Sequence, residues 1–117
     1  MAEMTVTQHD AWGYLVIWEF RPRPGREADF VKAYGSDGDW VKLFRQDTAY
    51  LGTELAHDLE DAGRFLTLDF WSSRDAYEAF QRKHKVRYAE IDASCENLTS
   101  QERLIGAFEM PALGTGN

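Results

Sequence analysis

Both parities of the run Tyr14-Leu-Val-Ile-Trp-Glu-Phe20 are largely apolar, as in a strand covered on two faces. Gly13 to Arg21 is therefore predicted to be a central strand. Arg21-Pro-Arg-Pro-Gly25 stops it, because Pro22 and Pro24 cannot donate to a ladder. Pro24 suits the first turn of a helix, and Phe30, Ala33 and Tyr34 then form one apolar stripe on a helix from about Pro24 to Tyr34. Gly35-Ser-Asp-Gly38 breaks that helix, and Trp40, Leu43 and Phe44 repeat the spacing in a second, short one. Tyr50 to Glu60 and Arg64 to Ser72 read as strands whose link, Asp61-Ala-Gly63, is short enough only for an antiparallel hairpin. In the second of them Leu66, Leu68 and Phe70 line one side, and Phe65, Thr67, Asp69 and Trp71 the other. Ser72 with Asp75 forms a capping box for a helix whose inner face is Ala76, Tyr77, Phe80 and His84. That helix is expected to bend near Lys83 to Lys85 and resume, since Tyr88, Ile91, Cys95 and Leu98 keep the helical spacing. Arg103 to Met110 alternates weakly and closes as a last strand.

The order β, α(α), β, β, α, β is the split βαβ pattern of an α+β, ferredoxin-like βαββαβ fold with a four-stranded antiparallel sheet. Its helices cover one side of the sheet, yet Leu66, Leu68 and Phe70 leave the other side apolar. A second copy of the same sheet is the simplest cover, which predicts a homodimer. With no linker, repeat or low-complexity stretch, one domain is expected over residues 13–110, between flexible tails at 1–12 and 111–117.

Composition narrows the partners. At 117 residues and 44% hydrophobic, the chain can hold a core but no large internal chamber. Thirteen basic against twenty acidic residues give a net charge of −7, the wrong sign for nucleic acid or an anionic membrane. No apolar run approaches the length of a membrane span and the N-terminus lacks a signal-peptide pattern, so a cytoplasmic protein is expected. Cys95 has no partner for a disulfide, and His9, His57 and His84 show no metal-ligand spacing. There is no Gly-rich phosphate loop, so neither metal nor bound cofactor is expected.

Asp69 is the most informative polar residue, since strict alternation places it on a buried face between Thr67 and Trp71. A buried carboxylate needs a partner or a raised pKa. An ion pair with Arg45, Arg64 or Arg87 is the plainer expectation; a general base for a phenol, or for a carbon next to a carbonyl, is the chemical one. Glu19 and Glu54 raise the same question on neighbouring strands, where edge or interface ion pairs suffice. Trp18 and Phe20 share parity with Val16 and would line a cleft between sheet and helices. Tyr34 and Phe80, on the inner helix stripes, complete the expected substrate contacts.

Over about Gly13 to Met110 the chain resembles the antibiotic biosynthesis monooxygenase family, whose members are dimeric α+β barrels. The resemblance rests on Val16-Ile-Trp-Glu-Phe-Arg-Pro-Arg-Pro-Gly25 with Phe30 behind it, on Tyr50-Leu-Gly-Thr-Glu-Leu55, and on Leu66-Thr-Leu-Asp-Phe-Trp-Ser-Ser73 followed by Ala76-Tyr77. It implies oxidation of an aromatic or polyketide-type small molecule with O₂, of the kind that turns anthrones into quinones without metal or flavin. It places Trp71 at a pocket tryptophan and Tyr77 at a pocket tyrosine that moves protons, and it puts Thr67, as the residue that hydrogen-bonds a substrate oxygen, where an asparagine stands in such oxygenases. In the haem-degrading branch of the family Trp71 has a counterpart, whereas an asparagine position is held by Trp18 and His84 has no assured match to the haem ligand. Four functions therefore stay open: the cofactor-independent oxygenase, a non-oxidative cyclase or isomerase in the same cleft, a haem-binding or haem-degrading enzyme, and a non-catalytic module that holds an aromatic ligand.

Overall fold

The structure is a computed structural model that describes residues 13–110; the two tails expected at 1–12 and 111–117 lie outside the described residues. Its elements follow the predicted order: β1 (Tyr14–Pro22), α1 (Glu27–Tyr34), α2 (Asp39–Phe44), β2 (Tyr50–His57), β3 (Phe65–Trp71), α3 (Arg74–Lys83), α4 (Lys85–Cys95) and β4 (Thr99–Glu109). The strands form one antiparallel sheet in the order β2-β3-β1-β4. This is the ferredoxin-like α+β arrangement, with the two apolar strands β3 and β1 at its centre.

Several element boundaries move for local reasons. The first helix starts at Glu27 rather than Pro24 because Gly25 takes a positive φ of 83° in a turn, closed by the Arg26 amide donating to the Arg23 carbonyl at 2.9 Å. Ser73, not Ser72, caps α3: its Oγ accepts from the Ala76 amide at 3.1 Å. The Ser72 amide is still held by the Ala49 carbonyl at 2.9 Å, so the chain leaves the sheet one residue later than the capping-box pattern suggests. β2 ends at His57 rather than Glu60, since the Asp58 amide closes the hairpin on the Arg64 carbonyl. β4 begins at Thr99 rather than Arg103, its ladder running back along β1 to the pair Pro22 and Thr99. The bend expected near Lys83 to Lys85 is His84, which separates α3 from α4 with φ −108°.

Burial alternates along β3, where Phe65, Thr67, Asp69 and Trp71 are buried and Leu66, Leu68 and Phe70 are only half-buried. The core gathers on the first face, where Phe30, Phe80, Ile91 and Trp71 are sealed almost completely beneath the helices. The opposite face carries Leu15, Ile17, Leu66, Leu68, Phe70 and Phe108, and contributes nothing to that core. At one end of this second face, Glu19 pairs with Arg64 and Arg103, and these two guanidinium groups hold its carboxyl below the usual carboxylate range. Among the described residues no helix is long and apolar enough to cross a membrane.

Candidate active site

The helix-facing side of the sheet does not close completely against the helices. Between them lies a cavity of about 160 Å³, similar to an engineered apolar cavity of about 150 Å³ that takes up benzene. β1 supplies Trp18 and Phe20, α1 supplies Tyr34, and α2 supplies Trp40, Val41 and Phe44. Thr53, Thr67 and Asp69 form its floor on β2 and β3, and Tyr88, Asp92 and Glu102 stand on the α4 and β4 side. Six aromatic rings and three carboxylates thus surround the space, with no Lys, Arg or His among the lining residues. Asp92 and Glu102 are exposed and mark its solvent side. Burial, together with the nearby Asp92, pushes the Glu102 carboxyl up.

Asp69 is 8% exposed and sits where the alternation of β3 requires. The anticipated ion pair is absent. Arg64 is committed to Glu19 and to Asp58 at 3.3 Å, Arg87 lies 3.3 Å from Glu90, and no arginine pairs with Asp69 among the described residues. Sequence periodicity could bury Asp69 but could not show that both strands beside it deliver hydroxyls and rings instead of guanidinium groups. Its Oδ1 accepts from Thr53 Oγ1 at 2.6 Å, and its Oδ2 takes no hydrogen bond from any described residue. Burial pushes the carboxyl up to about 6, against the Thr53 hydrogen bond, which lowers it. Such a group is ionised at neutral pH yet basic enough to take a proton from an acidified substrate.

Of the other predicted site residues, Trp18, Phe20, Tyr34 and Thr67 line the cavity with Asp69. Trp71, Tyr77 and Phe80 do not; they form the layer behind it. Trp71 is fully buried, its ring packed 5.4 Å from Phe44, 5.3 Å from Tyr50, 5.1 Å from Tyr77 and 4.9 Å from Phe80. Its indole N–H has no acceptor among the described residues. The Tyr77 hydroxyl accepts from Gln81 Nε2 at 2.8 Å, and burial raises its pKa, so the phenol stays protonated. His84 packs on Phe80 at 4.8 Å and His57 on Phe65 at 4.1 Å, neither of them in the cavity. No cluster of His, Cys, Asp or Glu among the described residues is arranged to hold a metal.

Sequence reasoning missed Trp40, Phe44 and Tyr88 as cavity walls, although it found the stripes they belong to; a stripe does not reveal which of its rings lacks a neighbour. It also missed Thr53. The signal was present in Gly52, whose φ of 145° lies at the register shift between Tyr50 and Gly52.

Solved structures share this arrangement at low sequence identity, a level at which they bear on the fold alone. SnoaB, a cofactor-independent oxygenase from Streptomyces nogalater studied as a single-substitution variant, aligns with a TM-score of 0.61 at 12% identity over 84% of this chain and 92% of its own. A conserved protein of Methanosarcina mazei aligns with a TM-score of 0.64 at 10% identity, over 87% of this chain and 96% of its own. PA3566 of Pseudomonas aeruginosa gives 0.56 at 20% identity, over 86% and 96%. No curated protein matches the sequence. The sequence pattern of the family described as antibiotic biosynthesis monooxygenase matches residues 13–89, which hold β1 through α3, the start of α4 and most of the cavity wall. With more than half of its length so matched, the chain belongs to the antibiotic biosynthesis monooxygenase family.

Proposed function

We propose that the protein oxidises a small aromatic or polyketide-type molecule with O₂, using Asp69 as its base and no bound cofactor. The observation that carries this reading is a buried carboxylate in the floor of an aromatic cavity, one oxygen held by Thr53 and, among the described residues, no cation beside it and no hydrogen bond to the other oxygen. Asp69 takes a proton from a phenol or from a CH₂ next to a carbonyl, leaving an electron-rich anion. That anion passes an electron to O₂, the two radicals combine at carbon, and loss of water from the peroxide converts CH₂ to C=O. Overall, CH₂ and O₂ give C=O and H₂O, and the proton that Asp69 receives returns to the departing oxygen. Thr67, which lines the cavity, hydrogen-bonds a substrate oxygen in this reading, while Trp18, Phe20, Tyr34 and Trp40 hold the ring. Trp71, Tyr77 and Phe80 support this wall from behind, and the Tyr77 hydroxyl, bonded to Gln81, takes no part in the proton transfer.

The lining further selects a neutral ring over an anionic one, because three carboxylates and no cation surround it. The apolar second face of the sheet, with Leu15, Ile17, Leu66, Leu68 and Phe70, pairs in this reading with the same face of a second copy. Oxygen uptake with dithranol, a hydroxylated anthrone, tests the reaction: the protein should accelerate uptake over the spontaneous rate without added metal, flavin or haem. Turnover of such a ring that proceeds equally under nitrogen would identify the non-oxidative cyclase or isomerase, in which the same base returns its proton to carbon.

A further inference from the structure

Tyr50 and Thr53 are three residues apart on β2, and in a regular strand their side chains would point to opposite faces. The register shift between Tyr50 and Gly52 cancels that difference. It is made by Gly52 at φ 145°, a backbone conformation that favours glycine. Thr53 then stands directly opposite Asp69 on β3, and Tyr50 faces the same side. The Tyr50 hydroxyl lies 2.6 Å from Thr53 Oγ1, which lies 2.6 Å from Asp69 Oδ1. Thr53 has a single hydroxyl proton and the ionised carboxylate only accepts, so Thr53 donates to Asp69 and Tyr50 donates to Thr53.

We infer that Tyr50 and Thr53, brought to one face by the Gly52 bulge, are positioning residues that keep Asp69 ionised and turn its Oδ2 toward the cavity. The inference rests on the reading of Asp69 as a base and adds what tunes it. Each hydroxyl polarises the next, so the charge of Asp69 is spread over a chain that ends at Tyr50, beside a second cleft formed by Arg45, Leu51 and Gly52. The groups that face Asp69 from the surrounding elements cannot take over this task. Tyr77 on α3 and Tyr88 on α4 make no hydrogen bond to Asp69 among the described residues, and Asp92 and Glu102 across the cavity carry the wrong sign. Arg45 acts on Tyr50 and not on Asp69.

The test is an NMR titration of the Asp69 carboxyl carbon in ligand-free protein labelled at aspartate, assigned by the signal lost in Asp69→Asn. Thr53→Val should raise the midpoint by about one pH unit, and Tyr50→Phe, which keeps the ring against Trp71 and Phe44, by about half of that. Thr53→Ser restores the hydroxyl and should return the midpoint to that of the natural chain. In dithranol oxidation the acidic limb of the pH–rate profile should move up in the same order. Equal midpoints in the natural chain, Tyr50→Phe and Thr53→Val would overturn the inference, as would a loss of melting temperature in the two variants with no change in titration. An Asp69→Asn variant with undiminished oxidation would instead overturn the reading of Asp69 as base, and the titration would still judge the hydroxyl chain.

Discussion

At the scale of the residue, the energetics of Asp69 have a sign opposite to that of a salt-bridged carboxylate. Its pKa stands at about 6 in the fold against 3.8 for the free side chain, so the folded state binds the proton more tightly than the unfolded one. Stability is therefore lost as pH rises from below 4 through 6, and the full penalty, about 3 kcal/mol at 1.4 kcal/mol per pH unit, is present at pH 8. Asp69→Asn should accordingly raise the melting temperature at pH 8, and the advantage should vanish by pH 3.5. A variant less stable at pH 8 would mean that a cation pairs with Asp69 after all. Sequence alternation located this residue correctly on a buried face. What it could not provide was the identity of the groups opposite, because Thr53 reaches Asp69 only through a bulge that a strict period of two does not contain.

At the scale of the element, the shift from Ser72 to Ser73 at the start of α3 can be measured. Ser73→Ala removes the acceptor for the Ala76 amide and should cost about 1 kcal/mol, whereas Ser72→Ala, an exposed side chain outside the cap, should cost a few tenths at most. Equal losses in thermal unfolding would contradict this cap. The order of strands and helices was legible in the chain because each element carries its own period: both parities apolar in β1, Phe30 with Tyr34 in α1, Trp40 with Phe44 in α2. Boundaries were less so. They depend on single backbone bonds such as Ser72 to Ala49 and Asp58 to Arg64, which join segments distant in sequence or turned back on themselves and leave no periodic trace. The cavity was legible only in part for a related reason: Tyr34 and Trp40 differ from ordinary core aromatics in the space left between them and β1, which is a property of packing.

At the scale of the whole molecule, one sheet face is used by the core and the other is apolar and half-covered, which underlies the proposed homodimer. Sedimentation at micromolar concentration should give twice 13.5 kDa, and Leu68→Lys, in the middle of the open face, should give the monomer while keeping the helical content. A natural chain that sediments as a monomer would remove the paired-sheet assembly. The charge of the cavity makes a second prediction: 1-naphthol should quench the indole fluorescence at concentrations at least tenfold below those of 1-naphthoate, and Glu102→Gln should narrow that gap, whereas tighter binding of naphthoate would mean that the lining does not select by charge. The central claim is that this buried carboxylate drives oxidation of a ring held in the aromatic cavity, and the most direct test is the rate of dithranol-dependent oxygen uptake by Asp69→Asn beside the natural chain. The account predicts a loss of roughly 10²–10⁴-fold in rate, with naphthol affinity and folding retained. A folded Asp69→Asn protein that consumes oxygen at the rate of the natural chain would contradict it.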